Sequence, residues 1–184
     1  LESGESLRVH GPNGSGKTTV LRLLCALVPP FAGEIRWNNA PIAQMGRAYH
    51  SRVLYLGHRN AIKEELTPLE NLEFFFQTGS IPFDRGGAFD ALKRLGISDA
   101  GNLPCRFLSE GQKRRVALAR LVFPGRPLWI LDEPCAALDT EAAGEVFSLI
   151  GAHLRRGGIA VLASPRDDVS GLPGGREFWL GRPC

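Results

Sequence analysis

Apolar and polar positions change their period several times along this chain, and each change marks an element. Ser6–His10 reads SLRVH, alternating up to a glycine-rich turn, which predicts a strand. From Lys17 to Val28 (KTTVLRLLCALV) the apolar residues recur at helical spacing until Pro29-Pro30 ends the run. GEIRWNN (Gly33–Asn39) predicts a strand closed by a turn, and VLYLGH (Val53–His58) a third strand. The middle of the chain is different. Thr67–Phe76 predicts a helix with Thr67 as cap and Pro68 in its first turn. Phe89–Ile97 predicts another, stopped by Gly96. Nothing from Leu66 to Phe107 reads as a strand, and we assign residues 66–115 to a helical lobe. PLWILDE (Pro127–Glu133) is a continuous apolar run ending in two acids, the mark of a parallel strand buried on both faces. A helix over Glu141–Arg156, a buried strand IAVLAS (Ile159–Ser164) and an edge strand EFWLG (Glu177–Gly181) complete the pattern. Strand–helix alternation at both ends makes the fold class α/β.

Composition changes this picture little. With 184 residues, 43% hydrophobic and 22% charged, the chain suits one domain of ordinary size or a domain with a small lobe. A formal net charge of +3 with scattered basic residues gives no argument for nucleic acid. Cys25, Cys105, Cys135 and Cys184 include no CxxC pair and read as reduced, structural thiols. His10, His50, His58 and His153 lack metal-ligand spacing. No apolar run approaches the ~18–20 residues that cross a bilayer, and no signal peptide is present. The chain opens on Leu1 rather than Met, so we expect its native N-terminus to lie upstream.

The chemistry begins at GPNGSGKTT, Gly11 to Thr19. Gly11, Gly16, Lys17 and Thr18 match G-x-x-x-x-G-K-[ST], after a predicted strand and opening a predicted helix, the context that gives this pattern meaning. The backbone amides of Gly11, Pro12, Asn13, Gly14, Ser15 and Gly16 (Pro12 excepted) wrap a phosphate, and the helix adds its positive end. Lys17 supplies a point charge to the β- and γ-phosphates, and Thr18 a hydroxyl suited to Mg²⁺, with Thr19 following. Asp132 and Glu133 end a buried strand, the edge where ligands of parallel sheets bind. Asp132 suits Mg²⁺, and Glu133 suits orienting or deprotonating a water. LSEGQKRRVALAR (Leu108–Arg120) then raises a question. It is a second helix start of the kind that holds an anion, or an ordinary capped helix, in a chain that already has a phosphate loop.

Phosphate loop, LSEGQ and LDEP in that order resemble the ATP-binding-cassette family, over essentially the whole chain. The resemblance implies a P-loop NTPase fold: one cassette domain over residues 1–184, with a mostly parallel core sheet, a small antiparallel β portion and the helical lobe. LSEGQ is similar to the family's signature motif and CAALD (Cys135–Asp139) to its D-loop, carried by Asp139. The resemblance also implies that two cassettes pair head to tail, with ATP between one chain's phosphate loop and the other's signature helix. Ser109, Gly111 and Gln112 would then serve a partner's γ-phosphate, which answers the question of the second helix start.

LYLGHRNAIKEELTPLENLEFF (Leu54–Phe75), RVALARL and LWILDEP resemble a smaller group, the ATP-binding subunits of the haem exporter of bacterial cytochrome c maturation. That implies a peripheral protein on the cytoplasmic face of the bacterial inner membrane, bound to integral-membrane transporter subunits, with no haem site of its own. Transporter cassettes usually carry glutamine where the γ-phosphate meets the coupling segment. Nine residues before Thr67 this chain has His58, as the smaller group does. After the last buried strand the family usually has a histidine, where this chain has Pro165 followed by Arg166, so we expect ATP binding with slow hydrolysis. The family's adenine-stacking aromatic would lie upstream of Leu1. Two alternatives stay open: a soluble cassette ATPase acting on nucleic acid or the ribosome, and an ATP-binding switch with weak hydrolysis. Lys113, Arg114, Arg115 and Arg120 read as solvated or paired residues of the signature helix, with nucleic-acid binding as the other possibility.

Overall fold

Strand–turn–helix chemistry at the phosphate loop sets the architecture. The computed structural model describes residues 1–79, 81–97, 102–123, 125–164, 172 and 174–181. Pro165, Arg166 and Cys184 lie outside the described residues. The chain divides into two compact units. The first comprises Leu1–Gly57, Gly125–Pro134 and Ile150–Cys184, the second His58–Pro124 and Cys135–Leu149.

In the first unit β1 (Ser6–His10) leads through the glycine loop into α1 (Lys17–Leu24). A hairpin, β2 (Arg36–Trp37) and β3 (Ala40–Pro41), is followed by the single-turn helices α2 (Ile42–Met45) and α3 (Arg47–His50). Then come β4 (Val53–Leu56), β5 (Leu128–Asp132), β6 (Ile159–Ala163) and β7 (Gly175–Trp179). Five strands form one sheet in the order β4-β5-β6-β1-β7, parallel at each junction. β5 is buried at all five positions, which is why its sequence is continuously apolar. Val9, Leu21, Cys25, Ile130, Val161 and Ala163 form the core between sheet and α1. β2 and β3 pair antiparallel. The expected last strand begins two residues early, at Gly175, and forms the edge.

α1 stops at Leu24, four residues short of the expected Val28. Ala26 takes a left-handed φ of 54°. Its amide returns to Leu23 O and that of Leu27 to Arg22 O, both at 3.0 Å. This is a Schellman termination, with alanine where glycine is usual.

On the other face of the sheet His153 stacks on Trp129, with ring centroids 3.9 Å apart and planes within 5°. Burial holds the His153 pKa below the usual histidine value, and Arg156 acts in the same direction. A histidine kept neutral in the folded state gives stability that is complete above its unfolded pKa and lost as pH falls below it. Unfolding midpoints should therefore fall between about pH 7.5 and about pH 5.5, and His153→Phe, which keeps the stack but takes no proton, should flatten that slope. Chemical denaturation at several pH values measures this, and a slope identical in both proteins refutes it.

The second unit is built from α4 (Pro68–Thr78), α5 (Arg85–Arg94), α6 (Glu110–Leu118) and the start of α7 (Thr140–Arg155), with 3₁₀ turns at Cys105–Phe107 and Ala119–Val122. Thr67 caps α4 in a complete capping box with Glu70. Phe76, 2% exposed, meets Phe123 at 4.4 Å and Phe83 at 5.9 Å between ring centroids. Burying such a ring contributes roughly 1.5–3 kcal/mol. Arg94 pairs with Glu145, joining α5 to α7.

Candidate functional site

The residues singled out in the sequence divide between the units. In the first, the phosphate loop, Asp132 and Glu133 gather at the C-terminal edge of the sheet. Gly11 sits at φ 150°, and a Cβ there would meet Ser15 Oγ at 2.4 Å and Leu180 O at 2.9 Å, so only glycine fits. Gly16 stands at the N-cap of α1 in a left-handed conformation and gives no side-chain cap. The first amides of α1 are thereby left to an anion. Lys17 Nζ donates to Gly11 O (2.8 Å) and Pro12 O (3.0 Å), which holds the ammonium across the loop. Ser15 Oγ is buried without a hydrogen-bond partner, a donor fitted to a phosphate oxygen. Pro12, Asn13, Gly14 and Thr19 are exposed around it.

Thr18 Oγ1 donates to Asp132 Oδ2 at 2.8 Å. The start of α1 and the end of β5, separated by 114 positions in the chain, thus meet through the two side chains expected to hold Mg²⁺. Asp132 is 2% exposed. A buried carboxylate beside a hydroxyl is the oxygen donor set a hard divalent cation takes. Glu133 is half-buried and adopts a left-handed φ of 48°, with its amide donating to Ala163 O at 2.8 Å. Such a conformation in a non-glycine residue costs energy and clusters at working sites.

In the second unit Ser109 caps α6. Its Oγ accepts from Gln112 N (3.2 Å), and Gln112 Oε1 accepts from Ser109 N (2.9 Å). Both readings of LSEGQ are therefore compatible, because capping uses a lone pair of the serine and leaves its hydroxyl proton to donate. Gly111 packs so closely that a Cβ would meet Ala137 O at 2.9 Å. Asp139 pairs with Arg115, and its Oδ1 accepts from Ala142 N at 2.8 Å, so its carboxylate ties α6 to the first turn of α7.

His58 is exposed and lines a groove of about 650 Å³ with Asn60, Ala61, Glu64, Glu110 and Lys113. The loop after His58 is anchored by side chains that sequence reasoning missed or left unassigned. Arg114 Nη1 donates to Asn60 Oδ1 at 3.2 Å, and Arg120 Nη2 to Ala61 O at 2.8 Å. Burial lowers the Arg120 pKa to about 10, and its guanidinium lies 4.4 Å from the centroid of the Phe75 ring. Buried Asn71 accepts from Lys63 N (2.7 Å) and donates to Lys63 O (2.9 Å), Leu66 O (3.2 Å) and Thr67 O (3.1 Å). A polar residue one turn into an apolar helix, just after a capping threonine, was the available signal. Lys113 bonds Glu64 and Glu110 at 2.9 and 3.1 Å. The basic run is thus paired, two of its members deep in the unit. Among the described residues, no helix is long and apolar enough to cross a membrane.

The family model for ABC transporters matches residues 1–136. The chain is 49% identical over 183 residues to the cytochrome c biogenesis ATP-binding export protein CcmA of Dechloromonas aromatica, covering 98% of this chain and 89% of that one. It is 47% identical over 167 residues to the protein of the same name from Nitrosospira multiformis, covering 91% and 81%. Among solved structures it is similar to a dimeric post-hydrolysis state of an ATP-binding cassette bound to ADP and Pi. That likeness has a TM-score of 0.81 and 25% identity, over 98% of this chain and 82% of the other.

Proposed function

The chain belongs to the ABC transporter family and is an ATP-binding ATPase subunit, and on that footing we propose that two copies close head to tail over ATP to drive a haem-handling membrane transporter of cytochrome c biogenesis. The observation that carries the reading is the 2.8 Å Thr18–Asp132 hydrogen bond, which joins phosphate loop and acid pair into one half-site.

In this reading the loop Gly11–Thr19 binds the triphosphate, with Lys17 on the β- and γ-phosphates. Thr18 and Asp132 hold Mg²⁺, which when bound supplies charge neutralisation at the phosphate oxygens. Glu133 accepts a proton from water as the water oxygen attacks the γ-phosphorus. The bond from that phosphorus to the bridging oxygen breaks, and ADP and phosphate leave. Ser109, Gly111 and Gln112 come from the second copy and meet the γ-phosphate through the start of α6. Asp139 acts by bracing α6 through Arg115. Loss of the γ-phosphate removes charge-assisted bonds from both copies and shifts the dimer toward its open state.

The subunit would sit on the cytoplasmic face of the inner membrane against integral-membrane subunits, where cargo is selected. Lys113, Arg114, Arg115 and Arg120 are engaged within their own unit, which favours this reading over nucleic-acid binding. Purification from detergent-solubilised membranes tests it: cytochrome c maturation subunits should co-purify, and recovery with nucleic acid or ribosomes instead overturns it. His58, which lines the groove shared with Lys113, would contact the γ-phosphate or its water. His58→Gln should then change the rate of ATP hydrolysis while leaving ATP binding intact. An unchanged rate removes His58 from the reaction.

A further inference from the structure

The strand order gives a bound nucleotide a direction. With Glu133 as base and Thr18 bonded to Asp132, the γ-phosphate end of ATP lies at the end of β5, while the loop that wraps the phosphates springs from β1. β6 lies between those two strands, and β7 lies on the far side of β1. A triphosphate that runs from Asp132 across the loop therefore carries its nucleoside toward the end of β7. Two aromatic rings stand there. Trp179, the last residue of β7, is level with His10, the last of β1, and the rings stack with centroids 4.4 Å apart and planes within 14°. Glu177 reaches the edges of both: Trp179 Nε1 donates to its Oε2 at 3.4 Å, and His10 Nε2 lies 3.6 Å from its Oε1. The next residue is locked to the phosphate loop. Leu180 N donates to His10 O at 2.8 Å, and Leu180 O would stand 2.9 Å from a Cβ on Gly11. The indole is thus fixed in plane beside the loop, and 43% of Trp179 remains exposed.

We propose that Trp179, backed by His10, is a platform on which the nucleobase of ATP stacks. The proposal rests on the reading of Gly11–Thr19 as the phosphate site. The platform is a contact distinct from the aromatic that the family resemblance places upstream of Leu1. Every base has a π-face, so the platform adds affinity for a nucleoside triphosphate over bare phosphate without choosing adenine over guanine.

Calorimetric titration of the purified chain with ATP, GTP and inorganic tripolyphosphate, each with magnesium, separates the nucleoside from the phosphates. Trp179→Ala should weaken ATP and GTP alike by about tenfold, within the range that stacking one base contributes, and leave tripolyphosphate unchanged. Trp179→Phe, which keeps a π-face, should restore most of the loss. ATP should also quench the tryptophan fluorescence of the parent, where tripolyphosphate should not, and the quenching should be absent from Trp179→Phe, which keeps only Trp37 and Trp129. A Trp179→Ala chain that binds ATP like the parent overturns the proposal. So does one that loses ATP and tripolyphosphate equally, because that loss is damage to the loop. Lys17→Ala separates the two levels. If it weakens both ligands while Trp179→Ala changes neither, only the platform fails. If Lys17→Ala leaves both affinities intact, the phosphate-site assignment fails and the platform with it.

Discussion

Glu133→Gln is expected to keep ATP binding intact and to lower hydrolysis by roughly 10²–10⁴-fold, the range a general base contributes. The argument is geometric. Glu133 follows Asp132 directly, at the sheet edge where the phosphate loop also ends. Its left-handed backbone is held in place by the hydrogen bond that its amide donates to Ala163 O, a tie to the end of β6. Glutamine has the same size and can still orient a water, but it takes no proton. The variant should therefore bind ATP like the parent and accumulate as an ATP-loaded dimer, because the step that opens the clamp is lost. Phosphate release and size-exclusion chromatography with ATP and magnesium measure both effects. A variant that hydrolyses ATP at the parental rate would remove Glu133 from the role of base. Since Pro165 stands where the family usually has a histidine, the parental rate should itself be low. An ordinary rate in the parent would show that this position does not limit the reaction.

The half-site at the sheet edge was legible because its chemistry is local. A phosphate loop needs its glycines and lysine within nine positions, and the strand before and helix after it are short-range features as well. LWILDE carries its own signal, an apolar run that only a doubly buried strand requires. What was hidden depends on long-range packing or on local rules that the composition disguised. GEIRWNN was read as a strand closed by a turn, and β2 proves to be only Arg36–Trp37. Asn38 and Asn39 take φ of 47° and 65°, a tight turn returning into β3. Asparagine tolerates that region, so the doubled asparagine was itself the hairpin signal. α5 begins at Arg85 rather than Phe89, because Asp84 accepts from Gly86 N at 3.0 Å. A Cβ at Gly87 would meet Asp84 Oδ2 at 2.8 Å, so the glycine pair ahead of Phe89 makes room for the cap. The anchoring roles of Asn71 and Arg120 in the His58 loop were harder to read, although the position of Asn71 just after a capping threonine was a signal. A buried Asn and a buried Arg look in sequence like any surface pair until the carbonyls they satisfy are known.

Two inactive variants are expected to restore each other's activity when mixed. Lys17→Ala removes the phosphate-loop charge and Ser109→Arg blocks the start of α6, so each homodimer has two broken sites. In a mixed dimer the sites are no longer alike. One joins the intact phosphate loop of the Ser109→Arg chain to the intact α6 of the Lys17→Ala chain and is whole, and the other carries both lesions. Random pairing makes about half the dimers mixed, with one sound site in each, so activity should return to about a quarter of the parental value if sites act independently. The structure makes Ser109→Arg a local lesion: Ser109 is exposed, its capping bonds are worth about 1 kcal/mol, and the rest of α6 is held by Val116, Ala117 and Leu118 in the interior. Thermal unfolding of each variant checks that both remain folded. Phosphate release from the mixture, with the membrane subunits present, then distinguishes the two possible sources of the second anion site. If α6 serves the ATP of its own chain, both variants are dead in every pairing and the mixture stays inactive. If it serves the partner's ATP, a head-to-tail clamp is the arrangement in which the mixture recovers.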